Sequence, residues 1–110
     1  MATSPVIVWT KLLGTSSDDY ATALTTGIDG SIYVGGITFG RLDGNTNSGA
    51  NDPFLTKYSA DGTKAWTRLL GSSNYDEGYG LTTGLDGSIF VSGYTRGSLD
   101  GQINSGGDDA

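Results

Sequence analysis

The chain has no cysteine and no histidine among its 110 residues. Without cysteine there is no disulfide and no thiolate metal site. Without histidine the commonest general base and the commonest transition-metal ligand are both missing. Basic residues are scarce: six Lys and Arg against twelve Asp and Glu leave a net charge of −6 and a pI near 4.1. An acidic chain without a basic cluster is a poor partner for nucleic acid or anionic membranes, although it leaves room for cations. No run of about 18 apolar residues occurs, so no membrane-inserting helix is expected. Met1–Pro5 is too short for a signal peptide. If the parent protein is exported, its signal lies outside these residues.

Glycine is plentiful instead, at 19 residues, and hydrophobic residues make up 35% of the chain. The apolar residues alternate with period two, which is a strand pattern. They are separated by Gly, Asp, Asn and Ser, which form turns. No ten-residue stretch keeps a helical stripe.

The strongest feature is a repeat. Trp9–Pro53 and Trp66–Ala110 align at an offset of 57, and 26 of the 45 pairs are identical. A period near 50 residues marks a repeat architecture whose single unit cannot bury its own apolar faces. Each period reads as four strands. Strand a is Tyr20–Thr26, with Tyr79–Thr83 as its copy. Strand b is Ser31–Thr38, with Ser88–Thr95 as its copy. Strand c, Phe54–Ser59, occurs once. Strand d is Lys64–Leu70, and its copy is Val6–Leu13. Asp29-Gly30, Asp86-Gly87 and Asp61-Gly62 are read as two-residue hairpin turns.

Four antiparallel strands per period, repeated, make the blade of a β-propeller. Strand a is rich in small residues (Ala21, Thr22, Ala23; Gly78, Gly80), as crowding at a propeller axis requires. Strand d carries Trp9 and Trp66 for the wider outer end.

Asp52–Gly62, the two Trp-Thr-Lys/Arg-Leu-Leu-Gly pieces, Asp29–Gly36 with Asp86–Gly93, and Leu42–Gly49 with Leu99–Gly106 together resemble the bacterial SBBP (seven-bladed β-propeller) repeat family. The resemblance spans Val8 to Ala110. It implies tandem propeller blades, often in extracellular or cell-surface bacterial proteins. It carries no common catalytic residues, so no enzyme activity is expected.

The expected unit is therefore all-β: one two-blade propeller unit over residues 1–110, with ends cut mid-blade. Repeat 1 is 9–65. Repeat 2, 66–110, lacks its strand c, to be completed by residues 1–8 of a neighbouring chain or by sequence beyond this chain. Open edges invite pairing. Two blades per chain close into rings of four to eight blades, which favours a head-to-tail cyclic homo-oligomer, trimer or tetramer. A bare fragment of a longer array is the alternative.

Binding sites are expected on the face carrying the long b–c loops (Phe39–Pro53, Arg96–Ala110) and the d–a loops. Asp43, Asn45, Asn47 and Asp52, and in the second copy Asp100, Asn104 and Asp109, alternate oxygen donors in a way that suits Ca²⁺. The competing reading makes them turn formers bonded to loop backbone. Asp18, Asp19, Tyr75, Asp76 and Glu77 form a candidate glycan or protein site. Tyr75 is the residue best placed to stack a sugar, while most other tyrosines are expected to pack between blades. A hydrolase or lyase using the paired acidic residues is the alternative function. Ser16, Ser17, Ser72 and Ser73 have no histidine partner for a triad.

Overall fold

Alternating apolar and polar residues build six strands, described by a computed structural model over residues 6–47 and 50–110. Met1–Pro5 and the Ser48-Gly49 pair of the expected calcium loop lie outside the described residues. The strands are β1 (Asp19–Thr26), β2 (Ile32–Thr38), β3 (Asp52–Tyr58), β4 (Lys64–Leu69), β5 (Asp76–Thr83) and β6 (Ile89–Thr95). β1 to β4 form an antiparallel sheet in sequence order, and β5 and β6 form a second sheet. The first sheet is a complete four-stranded blade. The second repeats its inner half with the same register: Asp19 opposes Thr38 as Asp76 opposes Thr95. Both innermost strands carry a bulge at the same place, between Ala21 and Ala23 and between Gly78 and Gly80.

The hairpin turns are one residue longer than the sequence reading. Gly30 N–H donates to the Gly27 carbonyl at 3.1 Å, and Gly27 N–H to the Ser31 carbonyl at 2.8 Å. Only Gly30, with φ of 84°, is left-handed. This is a three-residue loop, a type I turn closed by a glycine bulge. The Asp29 carboxylate therefore stays free to accept the Ser31 N–H at 2.9 Å. The turns at Asp61 and Asp86 repeat this arrangement, with carboxylates on the N–H of Thr63 and Ser88.

Val6–Leu13, read as a strand, makes no ladder among the described residues. Its copy, β4, is a strand because it pairs with β3. Among the described residues no equivalent of β3 lies beside residues 6–13. Trp9 instead packs on Tyr58, centroids 5.7 Å apart and planes tilted 32°, and its indole N–H donates to the Ala60 carbonyl at 3.1 Å. Val6, Ile7, Val8 and Leu12 stay exposed, so Trp9 is the anchor of the segment on the first blade.

The two sheets pack face to face through small residues. A methyl group on Gly35 would fall 3.1 Å from a Leu81 methyl, and one on Gly78 would fall 3.2 Å from the Pro53 ring. Gly35 thus admits the neighbouring blade, while Gly36 admits the backbone of its own β1. Threonines tie the two inner strands together. Thr22 Oγ donates to the Gly78 carbonyl at 2.8 Å, and Thr83 Oγ to the Thr26 carbonyl at 2.8 Å. The buried Asn51 amide donates to the Asp76 carbonyl at 3.0 Å. Phe54, Leu55, Tyr58, Ile37, Tyr33 and Leu42 are the buried apolar core, all within the first blade or its loop. Trp66 closes the outer end edge-on to Tyr33 at 6.1 Å.

Candidate functional site

The d–a loops fold around one carboxylate each. Asp19 accepts the Thr15 N–H at 2.6 Å, the Thr15 hydroxyl at 3.0 Å and the Thr38 hydroxyl at 2.6 Å. Asp76 accepts the Ser72 N–H at 2.8 Å, the Ser72 hydroxyl at 2.9 Å and the Thr95 hydroxyl. These carboxylates pin the loop to the start of the blade. Asp76 is only 1% exposed, so its carboxylate is not presented to a ligand. The acidic pairs Asp18–Asp19 and Asp76–Glu77 straddle the sheet instead of converging: Asp18 is exposed and its neighbour is turned inward.

The b–c loop residues also turn to the protein's own backbone. Asp43 has φ of 52°, a left-handed conformation that Asp tolerates better than most residues. That conformation directs its carboxylate to the Lys64 ammonium at 2.6 Å and to the Thr67 hydroxyl. Burial opposes ionisation of Asp43, but the Lys64 and Thr67 bonds outweigh it and hold its pKa below the ordinary carboxylate value. The Asn45 amide donates to the carbonyls of Leu42 and Thr67, at 3.0 and 3.3 Å. The Asn47 amide donates to those of Thr38 and Gly40, at 3.4 and 3.3 Å. In the second copy Asn104 makes the same bond to Thr95, at 3.4 Å, and Asp109 accepts the Ser105 N–H. Asp100 repeats the left-handed conformation at φ of 48°. Among the described residues no three Asp or Glu side chains converge in one place. Asp52 is fully buried at the start of β3.

A different cluster forms on the second blade. Glu77 lies opposite Tyr94 in the β5–β6 ladder. Tyr75 donates to one Glu77 oxygen at 3.2 Å, and Tyr94 to the other at 2.5 Å. Tyr79, sitting on the bulge, also donates to Glu77. The rings form a row: Tyr75 to Tyr94 is 6.3 Å with planes 22° apart, and Tyr94 to Tyr79 is 6.0 Å with planes 25° apart. The Arg96 guanidinium lies 5.0 Å over the Tyr75 ring and pairs with Asp108 at 2.7 Å. Burial opposes ionisation of Glu77, but the three phenols outweigh it and hold its pKa below the ordinary value. The same bond to Glu77 raises the Tyr94 pKa well above that of a free phenol.

Tyr75 and Glu77 were legible as site candidates; Tyr79, Tyr94, Arg96 and Asp108 were not. Tyr79 and Tyr94 meet at Glu77, whereas the expectation put them between blades. The signal that finds them is the difference between copies at paired positions. The counterparts of Tyr75, Glu77, Tyr79, Tyr94 and Arg96 are Asp18, Tyr20, Thr22, Ile37 and Phe39, and all five pairs differ. In the first blade only an edge-on Tyr20–Phe39 contact at 6.4 Å stands at this place.

The model of the SBBP family, described as a beta-propeller repeat, matches residues 65–100, which run from the second residue of β4 through β5 and β6. The chain carries an SBBP β-propeller repeat. Regulatory protein FlaEY of Caulobacter vibrioides is 32% identical over 115 residues, a stretch covering 94% of this chain. This chain matches only 12% of the length of that relative. The SBBP repeat therefore agrees with the antiparallel blade seen in the fold.

Proposed function

We propose that this chain is a structural and interaction module that adds further blades of its own kind. The proposed partner is a second copy, joined head to tail. The repeated joint is the one its two sheets already make, and the assembly closes as a ring. The observation that carries this is a mismatch in exposure between equivalent residues. Gly35, on the face of the first blade that meets the second, is buried under Leu81; its counterpart Ser92 is exposed, as is Phe90 on the same face. On the opposite face, Leu81 of the second blade packs on Gly35, while its counterpart Leu24 is 66% exposed. The open face of each blade is thus the counterpart of a face already engaged in the joint. Burying Phe90 alone would contribute about 2 kcal/mol per joint.

A heterologous contact of this kind makes a ring if its rotation closes. Propellers hold about 4–8 blades, which two blades per chain meet as two, three or four chains; a four-bladed ring is the most strongly bent, which favours a trimer or tetramer. The propeller repeat and the regulatory relative favour a non-catalytic role. The engaged carboxylates of Asp19 and Asp76 lend no support to a hydrolase or lyase. Light scattering on a size-exclusion column tests the proposal. It predicts three or four times the 11.3 kDa chain mass; a well-folded monomer at micromolar concentration would refute it.

A further inference from the structure

We propose that the Tyr75–Tyr94–Tyr79 row, with Glu77 and Arg96, is a binding platform for neutral carbohydrate. A sugar ring has an apolar C–H face and a rim of hydroxyls. It is matched by flat aromatic surface with a few fixed polar groups beside it. The cluster supplies both within one chain. Its three rings are near-parallel neighbours, Glu77 is anchored between them by the three phenols, and Arg96 is held over Tyr75 by Asp108.

The platform stays open when blades stack. The first copy shows this, because its equivalent positions already have a blade against that face. Tyr20 remains 54% exposed and Phe39 39%, and Asp18 and Thr22 are exposed too. Only Ile37, the counterpart of Tyr94, is buried there. A neighbouring copy would therefore cover part of Tyr94 and leave Tyr75, Tyr79, Glu77 and Arg96 in reach.

The chemistry discriminates among ligands. With a chain charge of −6, and Asp108 neutralising Arg96, the described residues offer an anionic sugar no further cation beside the platform. A quaternary ammonium is best held by rings facing one point. These rings form a row, and the charge of Glu77 is already taken up by three hydroxyls.

Saturation-transfer NMR on the intact chain tests the proposal. The probes are the methyl glycosides of glucose, galactose and mannose, chitotriose, sialyllactose and tetramethylammonium. At least one neutral sugar receives saturation on its C–H protons, and Tyr75→Ala and Tyr79→Ala each weaken it at least tenfold. Tyr20→Ala, on the first blade, leaves it unchanged. Should an alanine variant lose its circular-dichroism spectrum, Glu77→Gln replaces it and must weaken binding likewise. Silence from every neutral sugar, binding indifferent to these variants, or a response to tetramethylammonium alone overturns the proposal. Scattering mass on the same samples separates this outcome from failure of ring assembly, since the cluster is complete in one chain.

Discussion

Gly36 lies so close to Tyr20 that a methyl group on it would fall 1.9 Å from the Tyr20 carbonyl oxygen. Gly93 stands in the same relation to Glu77, at 2.0 Å. In both blades the second strand is glycine here because the bulged first strand presses its backbone against it. Gly36→Ala and Gly93→Ala each destabilise the protein by about 3 kcal/mol or more, since backbone cannot yield as a side chain does. Thermal melts by circular dichroism read this. Gly30→Ala is milder, because nothing lies within 4 Å and the left-handed φ alone opposes it.

Asp76→Asn replaces an acceptor of three hydrogen bonds with an amide. An amide nitrogen directed at the Ser72 N–H puts donor against donor in a buried place, and one directed at Thr95 forces that hydroxyl to turn from donor to acceptor. The expected loss is roughly 2 kcal/mol, the cost of leaving buried polar groups unmatched. Asp19→Asn loses less, because Asp19 is only half-buried. Urea melts of the two variants, run side by side, check the order.

Acid weakens the hairpin turns. The Ser59 hydroxyl, then the Thr63 N–H, holds the Asp61 pKa down to about 2. The Ser31 N–H lowers that of Asp29, and the Ser88 N–H that of Asp86. A carboxylate depressed in the folded state stabilises fully above its unfolded pKa, near 3.9. That stabilisation is lost as pH falls through the folded value. Melting temperature should hold steady from neutral pH to about pH 5 and then drop toward pH 2. Asp61→Asn should flatten part of that drop. All three turns are exposed, so each contribution is small.

Calcium should leave the melting temperature unchanged against a chelator control. Of the side chains read as a calcium loop, the Asp43 oxygens are engaged by Lys64 and Thr67, and the Asn45 and Asn47 amide nitrogens hold backbone carbonyls. A rise with millimolar calcium that Asp43→Asn removed would return the loop to the metal reading.

The blade was legible because its signals are local. Period-two alternation, Asp-Gly turns and the 57-residue offset located β1 to β6 within a few residues. Val6–Leu13 has the pattern of a strand but forms none among the described residues, because a ladder needs a partner strand that pattern alone cannot supply. The turn length was missed because Asp-Gly suits both a two-residue turn and a glycine bulge; the Asp29–Ser31 bond favours the second. The tyrosine cluster was only half legible. Tyr75, Tyr79 and Tyr94 meet through cross-strand register and a bulge at Gly78–Gly80, neither of which is visible in composition.

Head-to-tail stacking is the central claim, and complementation of two blocked chains tests it most directly. Leu24→Asp spoils the open face of the first blade, and Phe90→Asp that of the second. Each variant alone should scatter as a monomer of 11.3 kDa. Mixed in equal amounts, they retain one good face apiece and should form a one-to-one dimer. A mixture that stays monomeric, or a variant that keeps the mass of the unaltered protein, would contradict the account.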